Sequence, residues 1–189
     1  MEFSRYVIID CEFTGDIPGL HEIVDITLIV TTRHLDTLDT FSTLAHPNYP
    51  ETASVDGLAI SGYDPLEWNK KGAVDQEILA RNTEKFLKTW QKKTFSKEKL
   101  IPISNGIRHD LAFLYQLISL DTLDLDVTID LSTISEFYNC LLKGEGKAPR
   151  SLGNIASSLG VSLINPHSSK DDCMATLESL KELRNLLRL

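Results

Sequence analysis

The segment Tyr6-Val-Ile-Ile9 constrains this chain most, because its β-branched run leads directly into Asp10-Cys-Glu-Phe-Thr-Gly15. A short apolar run of this kind reads as a buried strand. Strand side chains alternate, so Asp10 and Glu12 face the same side if the strand continues. Gly15 then breaks the element. Two carboxylates on one face repel each other unless a cation lies between them, and open α/β sheets bind ligands at strand carboxyl ends. A solvated acid pair is the simpler alternative. With 27 acidic residues among 189, a D-x-E spacing also arises by chance.

Two later segments carry related residues. Leu100-Ile-Pro-Ile-Ser104 is a short apolar strand followed by the turn signal Asn105-Gly106. Asp110 then opens an amphipathic helix with Leu111, Leu114, Tyr115 and Ile118 on its apolar side. Taken alone, Asp110 is explained as a first-turn acid complementing the helix dipole, and His109 as a surface or partly packed histidine. Farther on, Asn165-Pro-His-Ser-Ser169 leads into a terminal helix. Met174, Leu177, Leu180, Leu183 and Leu187 give that helix a core stripe. Ser169 and Asp172 have the spacing of a capping box with Asp in place of Glu. His167 reads either as a loop histidine or as a proton acceptor, since an unperturbed imidazole titrates near ~6.5.

In order and in context, the three segments resemble the DEDDh (DnaQ-like) branch of 3′→5′ exonucleases. That superfamily includes polymerase proofreading domains, ribonuclease T and oligoribonuclease. Asp10-Cys-Glu-Phe-Thr-Gly15 matches the family's D-x-E-x-T-G. His167 to Asp172 matches its H-x4-D, which selects Asp172 over Asp171. The middle segment, Ser104-Asn-Gly-Ile-Arg-His-Asp110, is similar to the oligoribonuclease form, as is Ile129-Asp-Leu-Ser-Thr-Ile-Ser-Glu-Phe137. Arg150-Ser-Leu-Gly-Asn-Ile-Ala-Ser-Ser-Leu-Gly160 is more like proofreading and autonomous DNA exonucleases.

The resemblance implies a ribonuclease H-like α/β fold with a mixed five-stranded sheet, an antiparallel meander plus parallel strands, flanked by helices. It implies two Mg²⁺ or Mn²⁺ ions held by Asp10, Glu12 and Asp172, with Asp110 joining the outer ion directly or through water. His167 would be the general base. Phe13 and Thr14 would lie against the terminal nucleotide with Asn105 nearby. Phe13 either stacks on a base or packs in the core. The implied partners are 3′ ends of single-stranded RNA or DNA, or short oligonucleotides, and the products are nucleoside 5′-monophosphates. A homodimer is also implied, by the oligoribonuclease likeness.

At 189 residues and 42% hydrophobic, the chain fits one globular domain, residues 1–189. Three strands, about 5–12, 22–32 and 36–46, come first and are spaced for an antiparallel meander. The segments His46-Pro-Asn-Tyr-Pro50 and Ser61-Gly-Tyr-Asp-Pro65 read as loop. A helix follows over about 73–92, with Ile78, Leu79, Phe86, Leu87 and Trp90 as core candidates. Then come a strand at 100–104, a helix at 109–120, a strand at 126–131 and a helix at 132–142. Lys143-Gly-Glu-Gly-Lys-Ala-Pro149 connects to a short helix over 151–159 and the terminal helix. Strands first, then alternating helix and strand, imply a mixed sheet covered by helices.

The net charge of −8 disfavours tight, non-specific binding of long duplexes, yet suits an enzyme that grips a few nucleotides. The lysine-rich stretches at 69–71 and 92–99 are solvated ends or strand contacts. Cys11, Cys140 and Cys173 lack metal-ligand spacing, and an odd count without a secretory signal favours reduced thiols in the cytoplasm. No apolar stretch approaches the ~18 residues of a membrane span. Two other readings use some of the same residues. A catalytically silent module of this fold, docking on nucleic acid or on a polymerase or nuclease, has no reason to gather like charges. A metal-free carboxylate-pair hydrolase such as a glycosidase leaves His167 and Asp172 without a role.

Overall fold

The computed structural model describes residues 4–94, 97–144 and 146–187. Part of the lysine-rich stretch (95–96), Glu145 of the expected connection and the last two residues of the expected terminal helix lie outside them. Six strands form one mixed sheet in the order β4-β3-β2-β1-β5-β6. Strands β1 (Ser4–Phe13), β2 (Ile23–Thr32) and β3 (Thr37–His46) make the expected antiparallel meander. Strand β5 (Ile101–Ser104) pairs parallel to β1, and β6 (Ile129–Asp130) parallel to β5.

The apolar run of β1 is continuous because both of its faces are covered. Val7, Ile9 and Cys11 pack into one core cluster with Leu79 and Leu87 of α3 (Gln76–Gln91) and Phe113 and Leu114 of α4 (Ile107–Leu117). Ile8 points the other way, into a second cluster with Leu131 of α5 (Leu131–Glu136), Ile155 of α6 (Leu152–Ser158) and Leu177 and Leu180 of α7 (Ser169–Leu187). By strand parity Asp10 and Glu12 share the face of Ile8, the face on which α7 lies.

Several expectations are corrected. The sheet has six strands rather than five, since β4 (Val74–Asp75) pairs parallel with Ala45 and His46. That pairing delays the helix expected from residue 73 to Gln76. Between Pro50 and the helix expected from residue 73, where only Ser61–Pro65 was read as loop and no helix was expected, lie α1 (Val55–Ser61) and α2 (Pro65–Lys70). Each is short but well capped. Ser54 Oγ accepts from Gly57 N, and Asp64 Oδ1 accepts from Leu66 N and Glu67 N ahead of Pro65. The expected strand at 126–131 shortens to two residues, and the helix at 132–142 is α5 followed by a π-helical turn over Phe137–Leu142. Met174 and Tyr115 face solvent, because the core stripes run through Leu177, Leu180 and Leu183 and through Phe113 and Leu114 instead.

Candidate metal centre

The end of β1 is held from two sides. Thr14 N donates to Glu22 O at 2.9 Å, and Glu22 N donates to Thr14 Oγ1 at 3.0 Å. Ser54 N donates to Thr14 O at 2.8 Å. The N-terminal turn of α1 lies so close that a Cβ on Gly57 would stand 2.4 Å from Thr14 O. On the other side a Cβ on Gly15 would meet the His21 ring at 2.4 Å. The glycine after Thr14 therefore makes room for the His21 ring.

On the opposite face, α7 delivers the third segment. His167 and Asp172 come together with Glu12: one ligand-type atom from each lies within 4.8 Å of the others. Glu12 and Asp172 are buried, while His167 is exposed. His167 adopts a left-handed backbone, φ +67°, which costs a non-glycine residue of order 1–3 kcal/mol. Its N–H donates to Asp172 Oδ2 at 3.3 Å.

Asp110 approaches from the β5 side. Strand β1 outruns β5, and the Asp110 carboxylate takes up the backbone group left over: Oδ1 accepts from Cys11 N at 3.1 Å. Oδ2 accepts from Ser104 Oγ at 2.6 Å. Asp110 is thus buried and doubly bonded, more than a helix-dipole acid.

Two buried carboxylate oxygens have no such support. Asp10 Oδ2 and Asp172 Oδ1 have no hydrogen-bond partner among the described residues. Burial is the main force raising every acid here. It lifts Asp10 well above the usual carboxylate range, with repulsion from Asp110, Asp172 and Glu12 adding to it. Burial pushes Glu12 up to about 8, reinforced by Asp172 and Asp25. Asp110 rises to about 7 despite its bonds from Ser104 and Cys11, and Asp172 to about 6 despite the His167 N–H. Such a cluster is costly unless positive charge enters it. Orphaned carboxylate oxygens beside an imidazole are a donor set suited to hard divalent cations such as Mg²⁺ or Mn²⁺.

The remaining expected residues are placed as follows. Phe13 is half-buried, stacked on Phe113 with ring centroids 3.9 Å apart and edge-on to His109 at 5.0 Å. Thr14 is buried, its hydroxyl and backbone engaged as described. Asn105 is half-buried, and its Oδ1 has no partner among the described residues. Asp171 turns outward to accept from Asn165 Nδ2 at 2.7 Å. The capping-box reading of Ser169 and Asp172 does not hold: Asp172 N donates to Ser168 O, and the Ser169 hydroxyl bonds elsewhere, to Asp25. Asp25 is the acid that sequence reasoning missed. Its signal was a lone carboxylate in the apolar run Ile23-Val-Asp-Ile-Thr-Leu-Ile-Val30.

The RNase_T exonuclease family matches residues 7–180. The chain belongs to the DEDDh exonuclease family. Solved structures place the family's fold on it as well. One structure of exonuclease I superposes with a TM-score of 0.76 at 15% identity, covering 97% of this chain and 41% of that one. E. coli exonuclease I bound to single-stranded DNA with a zinc ion gives 0.75 at 16%, covering 100% and 42%. The same protein with a dT13 oligonucleotide gives 0.75 at 16%, covering 99% and 43%. The chain therefore spans about two fifths of exonuclease I, and at these identities the likeness is one of fold. No curated protein matches the chain significantly by sequence. Among the described residues no helix is long and apolar enough to cross a membrane.

Proposed function

We propose that this member of the family is a divalent-metal-dependent 3′→5′ exonuclease that trims single-stranded nucleic acid or short oligonucleotides to nucleoside 5′-monophosphates. The observation that carries the proposal is the gathering of Glu12, His167 and Asp172 within 4.8 Å of one another, with a buried, unpartnered oxygen on Asp172 and a second on Asp10, which neighbours Glu12 and Asp172. Asp10, Glu12 and Asp172 would hold two Mg²⁺ or Mn²⁺ ions, with Asp110 adding charge from the β5 side. Bound, such ions stabilise both the attacking and the leaving oxygen of an in-line displacement.

The chain's own groups do the rest. His167 accepts the proton of the attacking water on an imidazole nitrogen, from an exposed position that water reaches. Asp172 holds the His167 backbone and so orients the base. Phe13, braced by Phe113, and Asn105, with its free carbonyl oxygen, face the terminal nucleotide. Thr14 keeps the backbone of this wall in place. The phosphorus–O3′ bond to the penultimate nucleotide breaks, leaving the phosphate on the released mononucleotide. That exonuclease I binds single-stranded DNA supports a single-stranded substrate. A homodimer, proposed from the oligoribonuclease-like segments, is checked by light scattering, where a monomer removes it.

The test is degradation of 3′- and 5′-labelled RNA and DNA, from dinucleotides to about 20-mers, with Mn²⁺ or EDTA, beside Asp10→Ala. Metal-dependent trimming from the 3′ end, lost in the variant, is the expected result. Absence of trimming on every substrate overturns the proposal in favour of a silent binding module.

A further inference from the structure

The reaction just described leaves one half-buried acid beside the cluster unused. Asp25 stands on β2 directly opposite Glu12 of β1. It receives two hydrogen bonds from the first residue of α7: Ser169 N at 3.2 Å to Oδ2, and Ser169 Oγ at 2.7 Å to Oδ1. The same turn is tied to the sheet twice more. Ser169 Oγ, its own proton on Asp25, accepts from Thr27 Oγ1 at 2.8 Å, and Ser42 Oγ lies 3.0 Å from the same Thr27 oxygen. Cys173 Sγ donates to Thr27 O at 3.3 Å.

Resting on the proposed reaction, we propose that Asp25 is a positioning residue, which locks the first turn of α7 onto β2 and thereby sets where His167 and Asp172 stand relative to Glu12. A helix N-terminus needs no fifth acid for its own sake. Ser, Thr or Asn caps such an end without charge, whereas Asp25 places another carboxylate among Asp10, Glu12 and Asp172. A carboxylate offers what a neutral cap does not: one oxygen for the amide and one for the hydroxyl, both bonds strengthened by charge. That fixes the rotation of α7 as well as its depth.

The backbone of His167 points the same way. A left-handed non-glycine residue persists only where its surroundings over-determine it. His167 is bracketed by two carboxylates: Asp172 binds its own N–H, and Asp25 binds Ser169 two residues on. Release of Asp25 frees one end of this bracket.

The test compares Asp25→Ala, Asp25→Asn, Ser169→Ala and the Asp25→Ala/Ser169→Ala double variant in the full chain. Three readouts are taken: kcat and KM on a labelled single-stranded oligonucleotide, the Mn²⁺ concentration for half-maximal thermal stabilisation, and amide exchange over residues 167–173. Outer-shell partners of this kind are worth about 10–100-fold. Asp25→Ala is expected to lower kcat by about 10–100-fold with KM nearly unchanged, to raise the Mn²⁺ midpoint about tenfold, and to speed exchange across 167–173. Asp25→Asn, which keeps one acceptor oxygen and also stands in should Asp25→Ala not fold, recovers part of each loss. The losses in the double variant are less than additive, because Asp25→Ala already removes both bonds to Ser169, whereas Ser169→Ala keeps the one from the backbone N–H.

Wild-type kcat and an unchanged Mn²⁺ midpoint in Asp25→Ala overturn the inference, as do additive losses in the double variant. If the wild type trims nothing while Asp25→Ala still weakens Mn²⁺ binding and loosens residues 167–173, the reaction fails and the positioning role stands. If the wild type trims and those two readouts do not move, the reverse holds.

Discussion

Asp10 and Asp130 stand toward the carboxyl ends of two strands of one sheet, separated by β5, yet they meet opposite fates. Asp130 is saturated with donors. Its Oδ2 accepts from Gly106 N and Ile107 N, both at 3.0 Å. Its Oδ1 accepts from Ser132 N at 2.9 Å, from the Ser132 hydroxyl, and from Thr133 N at 3.3 Å. It ties the turn before α4 to the start of α5. Asp10 Oδ2 has no donor among the described residues and is surrounded by Glu12, Asp25, Asp110 and Asp172. An acid at a strand end is thus ambiguous by itself. A balanced set of donors makes a structural joint, and an excess of buried acceptors marks a candidate cation site.

That contrast breaks most visibly at Asp10. Asp10→Asn is expected to lower trimming by about 10³-fold or more, since the tenfold-per-1.4 kcal/mol scale applies to each lost charge contact with the transition state. Its metal-free melting temperature is expected to stay level or rise, because one of several repelling charges is gone. A variant that melts lower and keeps its rate contradicts the contrast.

His167→Asn comes next. Asparagine tolerates the left-handed backbone at this position, so the fold is kept while the base is lost. The expected loss is about 10²-fold or more in kcat, with Mn²⁺ binding retained. An unchanged kcat removes the role of His167.

Asp130→Ala should show the opposite profile. Losing a carboxylate that serves five donors is expected to cost about 2–3 kcal/mol in denaturant unfolding. The Mn²⁺ midpoint should move little. A stability loss below about 0.5 kcal/mol means that water replaces those bonds at no cost.

The smallest effect is a slope. Glu12 rises from its ordinary 4.5 to about 8 in the fold. Between those values the folded protein holds a proton that the unfolded chain has lost, so metal-free stability falls as pH rises through this window. Glu12→Gln is expected to flatten that fall, read as melting temperature against pH in EDTA. Identical slopes for the two proteins sink this assignment.

The candidate site was more legible in the sequence than its surroundings. Asp10, Glu12, His167 and Asp172 were legible because strand parity and a fixed H-x4-D spacing are local, and packing only had to bring two elements together. The three meander strands were legible through their β-branched runs. Asp25 was not, because its importance lies in a contact with Ser169, 144 residues away. The helices α1 and α2 escaped because each is short and leaves Val55 or Leu66 exposed, which blurs the helical period. Their caps, Ser54 and Asp64-Pro65, were the readable signal. Met174 failed as a core residue for a similar reason: spacing sets the face, but the neighbours of α7 decide how wide the buried stripe is.

The most direct measurement of the central claim is calorimetric titration of Mn²⁺ into the wild type and Asp10→Asn near pH 7, in two buffers of different ionisation enthalpy. With Glu12 lifted to about 8 and Asp110 to about 7, cation binding must expel protons. The account predicts saturable binding of about two ions per chain with proton release, lost or reduced to one weak ion in the variant. Heats that are absent at millimolar Mn²⁺, or that are the same in both proteins and both buffers, contradict it.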